Sequence, residues 1–224
     1  MLSKKLYIVK NEPAQKRSSS ENYNVKFDGR RNVTAKTGTR KTYHHGDMQA
    51  ALLRSARTLL EKEGITALRL RAITRHAGVS PMAAMPHFGN LTGLLSTLAA
   101  IGYEELADTM EPVITQDHHA IGMAYVNFAI TRPGLFTLMF RSDAIDRNHP
   151  RLSAAQNRTS AMLTQVAETS GQTQGPHTHT GLKAALWGKV HGLAVLAIDG
   201  LLAPLLQDET SSETFAELIS DALR

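Results

Sequence analysis

The 224-residue sequence contains no cysteine, which excludes disulfide frameworks, thiolate zinc sites and cysteine nucleophiles and fits a reducing compartment. Uninterrupted apolar runs are also missing. The first thirty residues lack the continuous apolar stretch of a signal peptide, and the most apolar segment, Ala184 to Leu206, is interrupted by Lys189, His191 and Asp199, groups that are costly in a bilayer. A cytoplasmic protein with no membrane partner is expected. No segment sustains the period-two alternation of a half-buried strand, so the fold class is read as all-α. There is no phosphate-cradling glycine loop, no Gly-x-Ser-x-Gly elbow and no pair of carboxylates placed for acid–base work, so an enzyme is not expected. The histidine pairs His44-His45, His118-His119 and His177-Thr178-His179 lack metal-ligand spacing, because adjacent helical residues point apart. No metal and no cofactor are expected.

Charge is present but unevenly spread. Residues 1 to 41 hold eleven Lys or Arg against three acidic residues, a net +8, whereas residues 42 to 224 hold the other fourteen basic against seventeen acidic, a net −3. A basic arm on a mildly acidic globule suits a polyanion partner, and a solvated leader has the same composition. Residues 1–42 show no apolar period and are read as a mostly disordered arm.

Helical signals begin near Asp47, read as an N-cap. Leu52, Leu53, Ala56, Leu59 and Leu60 form the one-sided stripe of an amphipathic helix that Gly64 stops. A short helix over 70–77 follows, then Gly78 as a tight turn, then Ser80-Pro81 as N-cap and first residue of a third helix. Helix, glycine turn and helix within twenty residues is the helix-turn-helix layout. Pro86 predicts that the third helix stops near Met85, since an interior proline costs about 3 kcal/mol. Six longer helices are expected over 92–110, 117–131, 133–140, 151–169, 181–202 and 212–223, separated by Pro and Gly breaks.

Tyr43-His44-His45-Gly46-Asp47, Glu63-Gly64, Leu70-Arg71-Ala72-Ile73, Ala77-Gly78-Val79-Ser80, His87-Phe88 and Leu94-Leu95 together resemble the TetR family of bacterial repressors over about residues 40–106. Trp187-Gly188-Lys189-Val190-His191-Gly192, preceded by Arg132-Pro133-Gly134-Leu135-Phe136, is similar to the Trp-His-Gly type of TetR C-terminal domain. The resemblance implies a homodimer of about nine helices per chain: a helix-turn-helix DNA-binding domain over 43–90 and a helical ligand-binding and dimerisation domain over 91–224. It departs from the pattern at Met85 and Leu91, where relatives usually carry a tyrosine and a lysine that contact phosphates, and at Arg69, normally a Ser or Thr cap.

The residues read as meeting DNA are Arg40, Lys41, Tyr43, His44, Arg69, Arg71, Ser80, Pro81, Met82, Ala83, Met85 and His87. Basic groups and helix N-termini suit phosphate oxygens, while an apolar helix face can read thymine methyls or DNA shape. For the ligand, Tyr103, Met110, Met123, Tyr125, Phe128, Phe136, Phe140, Trp187 and His191 supply aromatic, thioether and imidazole groups on helices that should pack together, and the same residues would also suit an ordinary core. The expected partners are a double-stranded DNA operator, a small-molecule effector and a second copy of the chain joined through the last two helices. The expected function is a ligand-responsive regulator, a repressor released from its operator by a small molecule. The alternative is a small-molecule binder whose helix-turn-helix has lost operator recognition.

Overall fold

The apolar stripe read from the sequence is the buried side of helix α1 (His45–Glu63): Leu52, Ala56, Leu59 and Leu60 all face the core. The structure, a computed structural model, describes residues 45–169, 178–206 and 214–224. Helix α1 starts three residues earlier than the Met48 expected after an Asp47 cap, so Asp47 lies in its first turn rather than capping it, and the helix ends before Gly64 as expected.

Helix α2 (Leu70–His76) closes in a Schellman turn, with Gly78 N–H donating to the Arg75 carbonyl at 3.1 Å and Val79 N–H to the Thr74 carbonyl at 2.9 Å. That turn needs a residue at positive φ, and Gly78, at φ +71°, provides it without a Cβ penalty. Helix α3 (Pro81–Phe88) then runs three residues beyond the stop expected at Met85. Pro86 forfeits one amide donor, yet buried Ala84 and the core-packed Phe88 hold the final turn, which Gly89 N–H closes on the Met85 carbonyl at 2.9 Å. Tertiary burial outweighs the local proline cost.

Helix α4 (Leu91–Met110) starts at Asn90, whose side chain caps Gly93 N–H at 2.8 Å, and runs through the centre of the fold with twelve buried residues. Helices α5 (His118–Thr131), α6 (Pro133–Met139) and α7 (Pro150–Thr169) pack around it. Arg151 forks onto Glu104 at 2.8 and 2.7 Å, and Arg158 reaches Asp108 at 2.7 Å and Glu111 at 2.6 Å. These exposed pairs align α7 on α4, and each adds little stability.

Helix α8 (His179–Ile198) stops four residues before the expected Leu202, in a second Schellman turn built on Gly200 at φ +72°. Helix α9 (Phe215–Leu223) opens with a capping box between Thr214 and Glu217. Val126, Leu202, Ile219 and Leu223 form a smaller core joining α5, α8 and α9. Among the described residues there are nine α-helices and no strand, as the all-α reading requires. Helix α8 is also the one described helix long and apolar enough to cross a membrane, with mean hydropathy 1.2. Only Leu182 and Ala194 of its twenty residues are buried.

Candidate functional site

Two features of the fold carry chemistry: an exposed face on α2 and α3, and a cavity among the later helices. On the first, Ile73, Thr74 and Ala84 turn inward and leave Arg69, Arg71, Ser80, Pro81, Met82 and Met85 on the surface. Met82 is 75% exposed. Ala83 and His87 are half-buried. Arg69 and Ser80 stand at the N-caps of α2 and α3, yet neither side chain bonds its helix, which leaves both groups free to meet a phosphate. The structure thus gathers eight of the twelve residues read as meeting DNA on one surface. Arg40, Lys41, Tyr43 and His44 lie outside the described residues.

The cavity has a volume of about 490 Å³ and lies among α4, α5, α7 and α8, within the size range of small-molecule sites. Five of the nine residues read as ligand-binding line it: Tyr103, Met110, Tyr125, Phe140 and Trp187. The other four stand behind its wall. Phe128 is 1% exposed beneath the Arg132 guanidinium, which sits 5.0 Å from its ring, and Met123 packs in the smaller core. Phe136 and His191 support the lining instead of forming it. The His191 ring lies 4.4 Å from Phe140 and 5.4 Å from Phe136, and Phe136 lies 5.6 Å from Tyr125 in an edge-on contact.

Hydrogen bonds orient this wall. The Tyr125 phenol lies 3.0 Å from His191 Nδ1, within hydrogen-bond distance. Burial raises the Tyr125 pKa and lowers that of His191, because the charged form of each loses hydration there. Tyr103 donates to the Met139 carbonyl at 3.3 Å, and burial raises its pKa while Gln156 and Arg147 act in the opposite direction.

Sequence reasoning missed the contribution of α7, which lines the cavity with Gln156, Thr159, Met162 and Val166. A helix over 151–169 was expected, but not which neighbours it faces. It also missed the joint between the helix-turn-helix and the rest of the fold. Glu61 at the end of α1 accepts from Gly134 N–H and Leu135 N–H, both at 3.1 Å, and so caps α6. A Cβ on Gly134 would come within 2.9 Å of the Leu60 carbonyl oxygen, so only glycine allows this approach. Beside it, Glu105 of α4 binds Arg57 of α1, with one bond of 2.9 Å, and Arg132 at 3.3 Å.

Replacing Glu61 by Ala should lower stability by about 1 kcal/mol, the usual cost of a lost helix cap. Amide exchange at Gly134 and Leu135 should quicken in the same variant. Unchanged protection at those two amides would show that the carboxylate does not hold the joint.

Residues 118–222 match the family described as "Tetracyclin repressor-like, C-terminal domain". The uncharacterized HTH-type transcriptional regulator YobS of Bacillus subtilis (strain 168) is 24% identical over 159 residues, covering 67% of this chain and 79% of YobS. Among solved structures, a protein of unknown function from Rhodococcus sp. RHA1 is 26% identical with a TM-score of 0.64, covering 82% of this chain and 95% of that one. A regulatory protein in the tetR family from Rhodococcus RHA1 is 17% identical with a TM-score of 0.54, covering 79% and 95%.

Proposed function

Because the chain belongs to the TetR family of DNA-binding transcriptional regulators, we propose that it is a dimeric repressor, acting in the cytoplasm, that leaves its operator when a small molecule fills the cavity. The domain division follows the sequence reading: a basic arm over 1–42, a DNA-binding unit over 43–90, and a ligand and dimerisation unit over 91–224. The observation that carries this reading is the path from cavity to reading head. Phe140 lines the cavity directly after α6, α6 is capped by Glu61 of α1, and α1 packs against α2 and α3. A ligand that prefers a shifted α6 therefore shifts the head, by no more than its differential affinity for the two arrangements.

Dimerisation is supported by α8. Val195, Leu196, Leu201 and Leu205 are 38–64% exposed on and just after it, a surface that water disfavours and a twofold partner would cover. Two heads about 34 to 36 Å apart would then enter successive major grooves. The protein binds its effector without turning it over.

Binding to its own promoter DNA should weaken linearly in log affinity against log salt, with a slope of about 0.9 per phosphate neutralised. Removing residues 1–41 should flatten that slope while leaving binding detectable. A salt-independent affinity would end the reading.

One observation favours the second reading, a ligand binder with a spent helix-turn-helix. The exposed face of α3 offers Pro81, Met82 and Met85, none of which donates a hydrogen bond to a base edge or phosphate. If the chain shows no DNA binding and Met85→Tyr with Leu91→Lys creates it, this second reading replaces the first.

A further inference from the structure

The cavity has a charge of one sign. Twenty-one residues line it, among them Arg147, Lys189 and Arg224, and none is Asp or Glu. Six of the described arginines have carboxylate partners, Arg57 and Arg132 on Glu105, Arg141 on Asp143, Arg151 on Glu104, Arg158 on Asp108 and Glu111, and Arg224 on Asp221, so of the three cations that line the cavity only Arg224 is paired. Among the described residues, Arg147 and Lys189 have no carboxylate within ion-pair distance, and both open onto the cavity.

Arg147 has polar company at its end of the cavity. Tyr103 and Gln156 line the cavity with it, and Arg147 and Gln156 both act to lower the Tyr103 pKa against the effect of burial. The floor is different in kind. Leu106, Met110, Ile121, Met162 and Val166 are all buried and apolar, and a polar group placed among them would lose its water without gaining a partner.

We infer that the cavity takes an amphipathic organic anion, its apolar body on the floor of Leu106, Met110, Ile121, Met162 and Val166 and its carboxylate-type head on the unpaired Arg147 guanidinium. The inference rests on the reading of this cavity as the effector site. Guanidinium suits the role because its planar fork meets a carboxylate with two parallel hydrogen bonds. A cationic ligand would meet like charge and no counterion.

Trp187 is the single tryptophan of the chain and lines the cavity, so intrinsic emission reports occupancy without a label. The test titrates the full chain with decanoate, 1-decanol and decylammonium, which share an alkyl body and differ in head charge, each below its micelle concentration. Decanoate should saturate the Trp187 response with an affinity roughly tenfold above decylammonium and about fivefold above decanol, a partly exposed ion pair being modest in strength. In Arg147→Gln, decanoate should fall to the level of decanol while decanol is unchanged. Arg147 is solvent-exposed, so the variant should fold, and an unchanged circular dichroism spectrum checks this.

Saturable binding with no preference for decanoate, or a preference that survives Arg147→Gln, overturns the inference and leaves the cavity as an effector site. No saturable response to any of the three overturns that reading as well.

Discussion

Leu196→Arg should yield a folded chain that sediments as a single copy and binds promoter DNA roughly a hundredfold or more weakly than the parent. Leu196 is 39% exposed on α8 in one protomer, so a charge there meets water and leaves the protomer core intact. In a twofold α8–α9 interface the same position would be covered, and two unpaired guanidinium groups would be desolvated near the axis, a cost of several kcal/mol. The DNA effect follows from linkage. With two heads on one body the second contact is effectively intramolecular, and losing that advantage forfeits a factor of about 10² to 10⁴. Sedimentation velocity at micromolar concentration reads the assembly and fluorescence anisotropy reads the DNA. A variant that remains a dimer would move the interface away from this face.

Phe136→Ala should cost about 3 to 5 kcal/mol of stability, the range for truncating a fully buried aromatic. Phe136 is 2% exposed, and its ring lies 5.0 Å from Phe140, 5.4 Å from His191 and 5.6 Å from Tyr125. Its removal opens a void under two residues of the cavity wall and takes away the packing that seats α6. For a folded unit of this size each kcal/mol corresponds to about 2 to 4 °C, so the unfolding midpoint should fall by roughly 10 °C in a thermal scan. A loss under about 1 kcal/mol would mean that the surroundings collapse freely, and α6 could not then relay strain from the cavity to α1. The same scan on Trp187→Ala should show a much smaller change, because Trp187 is 48% exposed.

The candidate site was legible in part, and the division follows a physical line. The helix-turn-helix was readable because Gly78, Ser80 and Pro81 act on their own backbone: positive φ at Gly78 and fixed φ at Pro81 need no distant partner. The extent of α3 was misjudged for the complementary reason. Pro86 has a local cost that sequence reveals, while the packing of Ala84 and Phe88 that outweighs it belongs to the assembled core.

Aromatic composition announced a cavity or a core without separating the two. Tyr125 and Phe128 are three residues apart on α5, and one lines the cavity while the other is sealed behind it. The difference of about 300° between such positions, at 100° per residue, indicates near neighbours on a helix face but not which of two adjoining helices each will meet.

Residue order alone was enough for the all-helical class, the breaks at Gly64, Gly78 and Pro133 and the surface character of Arg69, Arg71 and Ser80, because hydrogen bonds within a few residues and a fixed periodicity govern them. Folding in three dimensions settled the rest. Glu61 meets Gly134 across 73 residues of chain, α7 supplies one wall of the cavity, and Arg147 is left without a carboxylate while its neighbours are paired. Such contacts depend on where whole helices come to lie against one another, and that placement follows from the combined burial of many apolar faces rather than from any one segment.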